Sequence, residues 1–285
     1  MLQQAGDWFR TAPLILLGGG LLLVLALTAW AGYALRGPAK HETAADGGDS
    51  YEGYLVSAVL GLLALLLGFT FSLAVDRYET RRKLVLEEAN AIGTAYLRAQ
   101  LLEEPHRTRI GNLLVAYTAN RVAVAKTPGI QPPDLVAKND RYLADLWAAT
   151  SAAFDTIKGI DFSSSFIDSI NTVIDLNTAR KTAVGAHIPP QVFLVLFVYV
   201  VVTAGVLGYV LTGQKGRISA AFLLLLLTLS MILIVDIDRP NTSGARGFQT
   251  PMEDLLTSFQ SRTHSALPAL HRGAKAAAIP APPSG

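Results

Sequence analysis

Histidines and adjacent acidic pairs are the side chains of this sequence whose types are suited to metal binding or acid–base catalysis. The five histidines are His41, His106, His187, His264 and His271. Metal-binding histidines on one helix usually lie three or four residues apart, and no two of these have that spacing. The chain has no cysteine, which excludes thiolate ligands and thiol nucleophiles. We therefore expect neither a metal site nor a cofactor.

The acidic pairs Glu87/Glu88 and Glu103/Glu104 do not form a catalytic arrangement either. Neighbouring residues on a helix point about 100° apart, so the two carboxylates of a pair do not converge. We interpret both pairs as parts of solvated faces. Residues 18–20, Gly-Gly-Gly, lie inside an apolar run, where they favour close helix packing over a phosphate-binding loop. No nucleophile, base and orienting group come together, and we predict that the protein is not an enzyme.

The composition indicates a chain that is partly solvated by lipid. The 285 residues are 51% hydrophobic and 16% charged, with a formal net charge of +2. Soluble domains carry about 25% charged residues. The small net charge and the lack of a nucleic-acid-binding motif argue against nucleic acid as a partner.

Four runs without a charged side chain are long enough to cross a bilayer, whose hydrocarbon core requires about 20 helical residues. We predict an all-α membrane protein with transmembrane helices at residues 13–35, 54–75, 190–211 and 218–235. For the first run the alternative is a cleaved signal peptide, because Ala29-Trp30-Ala31 resembles a small-residue cleavage site. The apolar stretch is, however, longer than a signal core usually is.

The second run continues without a helix breaker into a helical pattern. Seven residues beyond it recur at steps of four and three, as on one helix face: Tyr78, Arg82, Val85, Ala89, Ile92, Tyr96 and Ala99. We predict one helix to about residue 102, whose apolar stripe requires a partner and therefore a homo-oligomer. Further helices are predicted from Pro105, from Asp134, near Phe166 and at residues 251–262.

These predictions divide the chain into four parts: residues 1–75 with two spans and a short extracytoplasmic loop, residues 76–187 as an inserted helical domain, residues 188–237 with two spans, and residues 238–285 as a C-terminal segment whose tail is disordered from about residue 274. Lysine and arginine concentrate in cytoplasmic loops. Arg77, Arg81, Arg82 and Lys83 follow the second span, so both termini and residues 76–187 are predicted to be cytoplasmic. Lys215 and Arg217, between the last two spans, run against this orientation.

One face of the second span is the candidate functional site. Leu62, Leu65, Phe69, Ser72 and Asp76 recur at steps of three and four, as on one helix stripe. Such a stripe can line an axis shared by several subunits, or it can pack against neighbouring spans. The spacing does not choose between these readings.

The sequence resembles a known family in this region. Residues 67–82, LGFTFSLAVDRYETRR, resemble the pore-helix signature of bestrophins. Residues 87–98, EEANAIGTAYLR, are similar to bacterial bestrophin-like domain proteins, and the turn Asp238-Arg239-Pro240 also fits. The resemblance implies a homopentameric ion channel with four spans per subunit in a bacterial inner membrane, surrounded by lipid and passing small inorganic ions.

In bestrophins the second span lines a narrow apolar neck. The resemblance places this neck at Phe69 and, one and two turns earlier, at Leu65 and Gly61, where Gly61 departs from the expected bulky residue. No contiguous acidic cluster follows the last span, so we expect no calcium control. A ring of Asp76 carboxylates would favour cations; the alternative is an ion pair of Asp76 with Arg77, Arg81 or a neighbouring subunit. The alternative to a channel is a non-conducting scaffold or signalling protein with a cytoplasmic helical platform.

Overall fold

All regular structure in the described part of the chain is helical. The computed structural model describes residues 12–36, 48–127, 132–211, 213–239 and 249–261. The predicted tail, residues 37–47 of the loop before the second span, His41, His264 and His271 lie outside these ranges, and the end of that predicted loop, from Gly48, is helical instead. The helices are α1 (Leu14–Arg36), α2 (Gly48–Ala99), α3 (His106–Lys126), α4 (Pro133–Ile157), α5 (Phe162–Gly185), α6 (Pro190–Val210), α7 (Gly213–Asp238) and α8 (residues 250–261).

Four of these helices contain a stretch long and apolar enough to cross a membrane: α1, α2, α6 and α7. The prediction of an all-helical protein with four candidate spans is thus confirmed for the described residues. The second span does continue without interruption, because α2 is one helix of 52 residues. In the apolar part of α2 the helix itself supplies every backbone hydrogen bond, as lipid requires. The part beyond the membrane is stabilised by packing of its apolar face against other helices.

The helices form two compact units, and α2 and α5 each contribute to both. The first unit comprises residues up to Thr80 together with residues from Ala183 to Thr242. Its core gathers aliphatic side chains from α1, α2, α6 and α7. The buried members are Leu25, Leu63, Ala74, Ile188, Leu196, Val200, Ala204, Leu207, Leu224, Met231 and Ile234.

Glycines allow α1 to pack closely against α6. A Cβ atom on Gly208 would lie 1.9 Å from the carbonyl oxygen of Ala29, and one on Gly32 would lie 2.1 Å from that of Gly205. Small residues let the two backbones come this close. In lipid, where burial of apolar surface does not favour helix association, such close packing is what stabilises the contact. Of the predicted packing glycines at 18–20, only Gly18 is close to a neighbour, the side chain of Ile232.

The second unit comprises residues 81–182 and the C-terminal residues that include α8. Its core joins α2, α3, α4, α5 and α8 around fully buried Tyr117 and Phe166. Met252 and Phe259 bring α8 into this core, and the ring of Phe259 lies 4.4 Å from that of Tyr96. The short predicted helix near residue 251 is therefore an integral layer of the unit.

The predicted need of the α2 stripe for a partner from another subunit was wrong. Val85, Ala89, Ile92 and Ala99 are buried within the second unit of the same chain. A helix with this periodicity only requires an apolar neighbour, and α3 and α8 supply residues to the same core. The stripe therefore carries no information on oligomeric state.

Candidate functional site

The candidate pore-lining face of α2 is exposed in the single chain. Leu62, Leu65 and Phe69 are 49%, 55% and 62% exposed, although each is a large apolar side chain. Gly61, Ser72 and Asp76 are also exposed, so the structure brings all six residues to an uncovered surface of one helix. Exposure of a contiguous apolar surface indicates contact with lipid or with another protein surface.

The remaining faces of this stretch differ in what covers them. Leu63, Thr70 and Ala74 are buried in the first unit. The Thr70 hydroxyl donates to the carbonyl oxygen of Leu66 at 2.8 Å, which satisfies a polar group inside an apolar span. The chain therefore packs α2 through Leu63, Thr70 and Ala74 and leaves the stripe with Phe69 open.

Polar groups mark the last two turns of the stripe. Ser72 and Asp76 follow Phe69 at steps of three and four and are exposed. No ion pair joins Asp76 to another residue that the structure describes. The neighbouring Arg77 is half-buried, and its Nε atom lacks a hydrogen-bond partner within the described residues. The stripe thus passes from apolar side chains to a hydroxyl and then to a carboxylate.

A buried ionic network in the second unit was missed by the sequence interpretation. Glu88 on α2 has no solvent exposure and accepts a hydrogen bond from Arg121 Nη2 of α3 at 2.9 Å. Arg180 of α5 pairs with the same Oε2 atom, and the Tyr117 hydroxyl donates to Oε1. Buried charges persist only when they are paired and hydrogen-bonded, and here one carboxylate joins three helices.

The shifts in pKa follow from this geometry. Burial raises the pKa of Glu88, but Arg180 and Arg121 outweigh it, and the net shift is downward. Burial and the Glu88 carboxylate raise the pKa of Tyr117, which keeps its phenol as a donor. Burial lowers the pKa of Arg180, an effect that Glu88 only partly offsets. The carboxylate is therefore ionised and the phenol neutral at ordinary pH.

The interpretation of Glu88 as part of a solvated face was wrong, whereas Glu87 is partly open to solvent and lies 3.6 Å from Lys83. Adjacent residues do point apart on a helix, and here one points outward and one into the core. Arg121 offered a signal, because it follows Leu114 and Tyr117 at helical spacing and an arginine on such an apolar face requires a buried partner.

A second carboxylate ties together the ends of two spans. Asp238 is buried at the end of α7, and its Oδ1 atom accepts a hydrogen bond of 3.1 Å from the backbone N–H of Ile188. His187 Nδ1 lies 3.7 Å from Asp238 Oδ2. Pro189 and Pro190 follow and have no N–H to donate, so Ile188 supplies the last donor before α6. Within the described ranges, no three side chains gather as metal ligands.

Comparison with models of protein families gives a match over most of the chain. A family model for the bestrophin-like domain matches residues 21–242. The chain belongs to the bestrophin-like family. The resemblance to bestrophin-like domain proteins is thereby confirmed, and residues 87–98 and the Asp238 turn, on which it rested, lie inside the matched region. Comparison with curated proteins gives no significant match.

Solved structures of bacterial bestrophin homologues share the fold. A variant of the homologue from Klebsiella pneumoniae is 15% identical and has a TM-score of 0.63, covering 88% of this chain and 99% of its own. A structure of the homologue from the same organism, phased with zinc, is 16% identical with a TM-score of 0.59, covering 85% and 97%. At 15% and 16% identity, these structures show that the chain shares their fold and nothing more specific.

Proposed function

We propose that this bestrophin-like protein is a homo-oligomeric ion channel whose pore is lined by the exposed stripe of α2. The observation that carries the proposal is the 62% exposure of Phe69, together with Leu62 and Leu65, on a helix whose Leu63, Thr70 and Ala74 are buried. Copies arranged around an axis would bring these side chains together. Gly61 would continue the lining at the outer end, where it adds width rather than bulk.

The chemistry of the stripe suits a path for ions better than a surface facing lipid. Ionisable residues near membrane depth generally face a protein interior or water, and Asp76 shares the stripe with Phe69 and Ser72. Phe69 is the bulkiest side chain of the stripe, so it would form the tightest ring. Rings of apolar side chains close a pore by excluding water. Asp76 would add a ring of negative charge at the mouth and favour cations.

The family and the charge pattern support a proposal for the assembly and the membrane placement. Bestrophin homologues are the structural neighbours, which supports self-association, and the resemblance to bestrophins gives five as the expected number of copies. We place the protein in a bacterial inner membrane, with both termini and residues 76–187 cytoplasmic, because Arg77, Arg81, Arg82 and Lys83 follow the second span. Enzymatic activity is not part of the proposal.

Ion flux into liposomes tests the channel. Phe69→Ala should widen the ring and increase flux, whereas Phe71→Ala, on another face of α2 and 40% exposed, should leave flux at the wild-type level. Separate assays with cation and anion indicators report selectivity, and Asp76→Asn should reduce a cation preference. Native mass spectrometry in detergent counts the copies in each sample.

The outcomes separate the alternatives. If Phe69 instead packs between helices, Phe69→Ala should cost about 3–5 kcal/mol as a large-to-small change and reduce assembly. Absence of flux in wild type and variant, with assembly intact, would favour a non-conducting scaffold. Equal gains for Phe69→Ala and Phe71→Ala would remove the assignment of the ring to Phe69.

The lack of native cysteine makes the orientation testable with single substitutions. In intact cells, Ser50→Cys should react with a membrane-impermeant thiol reagent, and Thr127→Cys should react only after the cells are opened. Labelling of Thr127→Cys but not of Ser50→Cys in intact cells would invert the orientation.

Cross-linking between subunits tests the position of the stripe. Cross-linking at Leu65→Cys but not at Leu73→Cys would support the stripe at the shared axis.

A further inference from the structure

An apolar groove lies in the first unit between α1, α2 and α6. Its volume is about 330 Å³, and its walls are almost entirely apolar. Ala31 and Gly32 of α1, Gly205 and Val206 of α6 and Leu55 of α2 are among the residues that line it. The three helices are candidate membrane spans, so the groove is shaped to take another apolar surface within the bilayer.

Leu55 joins the groove to the candidate pore-lining stripe of α2. Leu55 and Leu62 are seven residues apart, which is about two helical turns, so they lie on the same side of the helix. Both are exposed, at 44% and 49%. Because each residue advances about 100° round a helix, Leu55 lies about 80° from Leu65 at the centre of the stripe. The groove therefore borders one edge of the stripe.

The opposite edge of the stripe consists of small residues. Ser57, Gly61, Ala64 and Gly68 recur at steps of four, three and four and are all exposed. No atom of the described residues lies within 4 Å of a Cβ added to Gly61 or Gly68. Ser57 lies about 80° from Leu65, in the direction opposite to Leu55. The stripe thus has a groove along one edge and a low, open helix surface along the other.

A closed ring of identical copies uses two different surfaces of each copy, because every subunit meets its two neighbours head to tail. When the stripe of each copy faces the shared axis, its two edges face the two neighbours. Rotation about an axis along α2 keeps equivalent residues at equal height. Ser57 is two residues from Leu55 and so lies about 3 Å from it along the helix. The groove of one copy and the small edge of the next therefore meet at the same depth.

We propose that the groove receives α2 of the neighbouring copy along its edge of small residues, Ser57, Gly61, Ala64 and Gly68. This inference rests on the proposed function, because it requires the stripe to face the shared axis. Small residues let helix backbones pack closely in a membrane, where such packing stabilises helix association. A lipid chain in the groove would separate the two copies and leave this edge without a close-packed partner.

Cysteine cross-linking in the full-length chain tests the contact, because the chain has no native cysteine. The double variant Val206→Cys/Ser57→Cys carries one thiol in the groove and one on the small edge. With a short bifunctional thiol reagent that enters membranes, each chain can link to both neighbours. Denaturing gel electrophoresis should then show a ladder of species that extends beyond dimers.

The matched control is Val206→Cys/Ala58→Cys. Ala58 is exposed and adjacent to Ser57 in the sequence, but it lies about 100° away round the helix, on the side of the stripe. Thiols at equivalent positions near the axis can join chains only in pairs, so the control should stop at dimers. A ladder of equal extent in the control would overturn the assignment to the small edge.

Native mass spectrometry and ion flux on the same samples separate this inference from the proposed channel. Intact oligomers without a Val206–Ser57 ladder would overturn the inference, assign the groove to lipid and leave the channel standing. A ladder in protein that passes no ions would support the contact and contradict the channel. Protein that stays monomeric would contradict both.

Discussion

Glu88 on α2 and Arg121 on α3 form an ion pair of 2.9 Å, with side-chain exposures of 0% and 8%. Arg180 shares the carboxylate and is 12% exposed, so two guanidinium groups surround one carboxylate. Removing one partner of a buried ion pair leaves an uncompensated charge. The network therefore links α2, α3 and α5 through one carboxylate.

Glu88→Gln should destabilise the protein by about 3–5 kcal/mol, because it leaves two buried guanidinium groups without a counter-charge. Glu87→Gln is the matched control, since Glu87 forms only an exposed pair with Lys83 that contributes about 0–1 kcal/mol. The melting temperature of each variant is measured in detergent, as the temperature at which heating removes the folded protein from the size-exclusion profile. Equal melting temperatures for the two variants would show that the network does not hold the helices.

Acid should destabilise the wild type more than Glu88→Gln. The pKa of Glu88 is lowered in the folded protein, so the unfolded chain binds this proton first as pH falls. The contribution of the carboxylate is fully present above its unfolded pKa of about 4.3 and is lost as pH falls through the folded value. Melting temperatures recorded from pH 6 to pH 3 should fall more steeply for wild type than for Glu88→Gln. Parallel curves would contradict the linkage.

The contact between α1 and α6 should not tolerate an added methyl group at Gly208. Gly208→Ala would place Cβ 1.9 Å from the Ala29 carbonyl oxygen, and a backbone atom cannot move aside as a side-chain end can. Overpacking of this kind costs about 1–3 kcal/mol. Gly20→Ala is the control, because no atom lies within 4 Å of its added Cβ. A melting temperature of Gly208→Ala at or above that of Gly20→Ala would argue against the close approach.

Asp238→Ala should destabilise the first unit by about 1–3 kcal/mol, because the buried N–H of Ile188 loses its acceptor. Asp238→Asn keeps an oxygen at this position and should recover most of the loss. Thermal unfolding of the two variants decides the matter. If both lose the same stability, the charge facing His187, and not the hydrogen bond, is what matters.

Much of the architecture was predictable because spans are local features. Twenty apolar residues in a row predict a membrane helix without reference to any other part of the chain, and α6 begins at Pro190 and ends at Val210 as that pattern indicates. The continuous α2 was also predictable, because no breaker interrupts residues 54–99. The family resemblance rested on contiguous residues for the same reason.

Contacts between distant segments were not predictable in this way. Periodicity shows that α2 has an apolar stripe beyond the membrane, but it cannot say whether the same chain or another one covers it. Glu88 pairs with residues 33 and 92 positions away. Its spacing of three from Val85 and four from Ile92 puts it on the apolar stripe of α2, unlike Glu87, but this local pattern does not identify its partners. Gly208 and Ala29 are 179 positions apart in the sequence, so their contact was not predictable from local patterns either.

The sequence by itself determined the four candidate spans, the helical character of the chain and the family to which it belongs, because hydrophobic length and contiguous motifs are written along the backbone. Only the tertiary structure decided which face of α2 the chain covers and which it leaves open at Phe69. It also decided which charges are buried together around Glu88. Those choices depend on how each helix is rotated against its neighbours, and that rotation is set by packing among residues far apart in the chain.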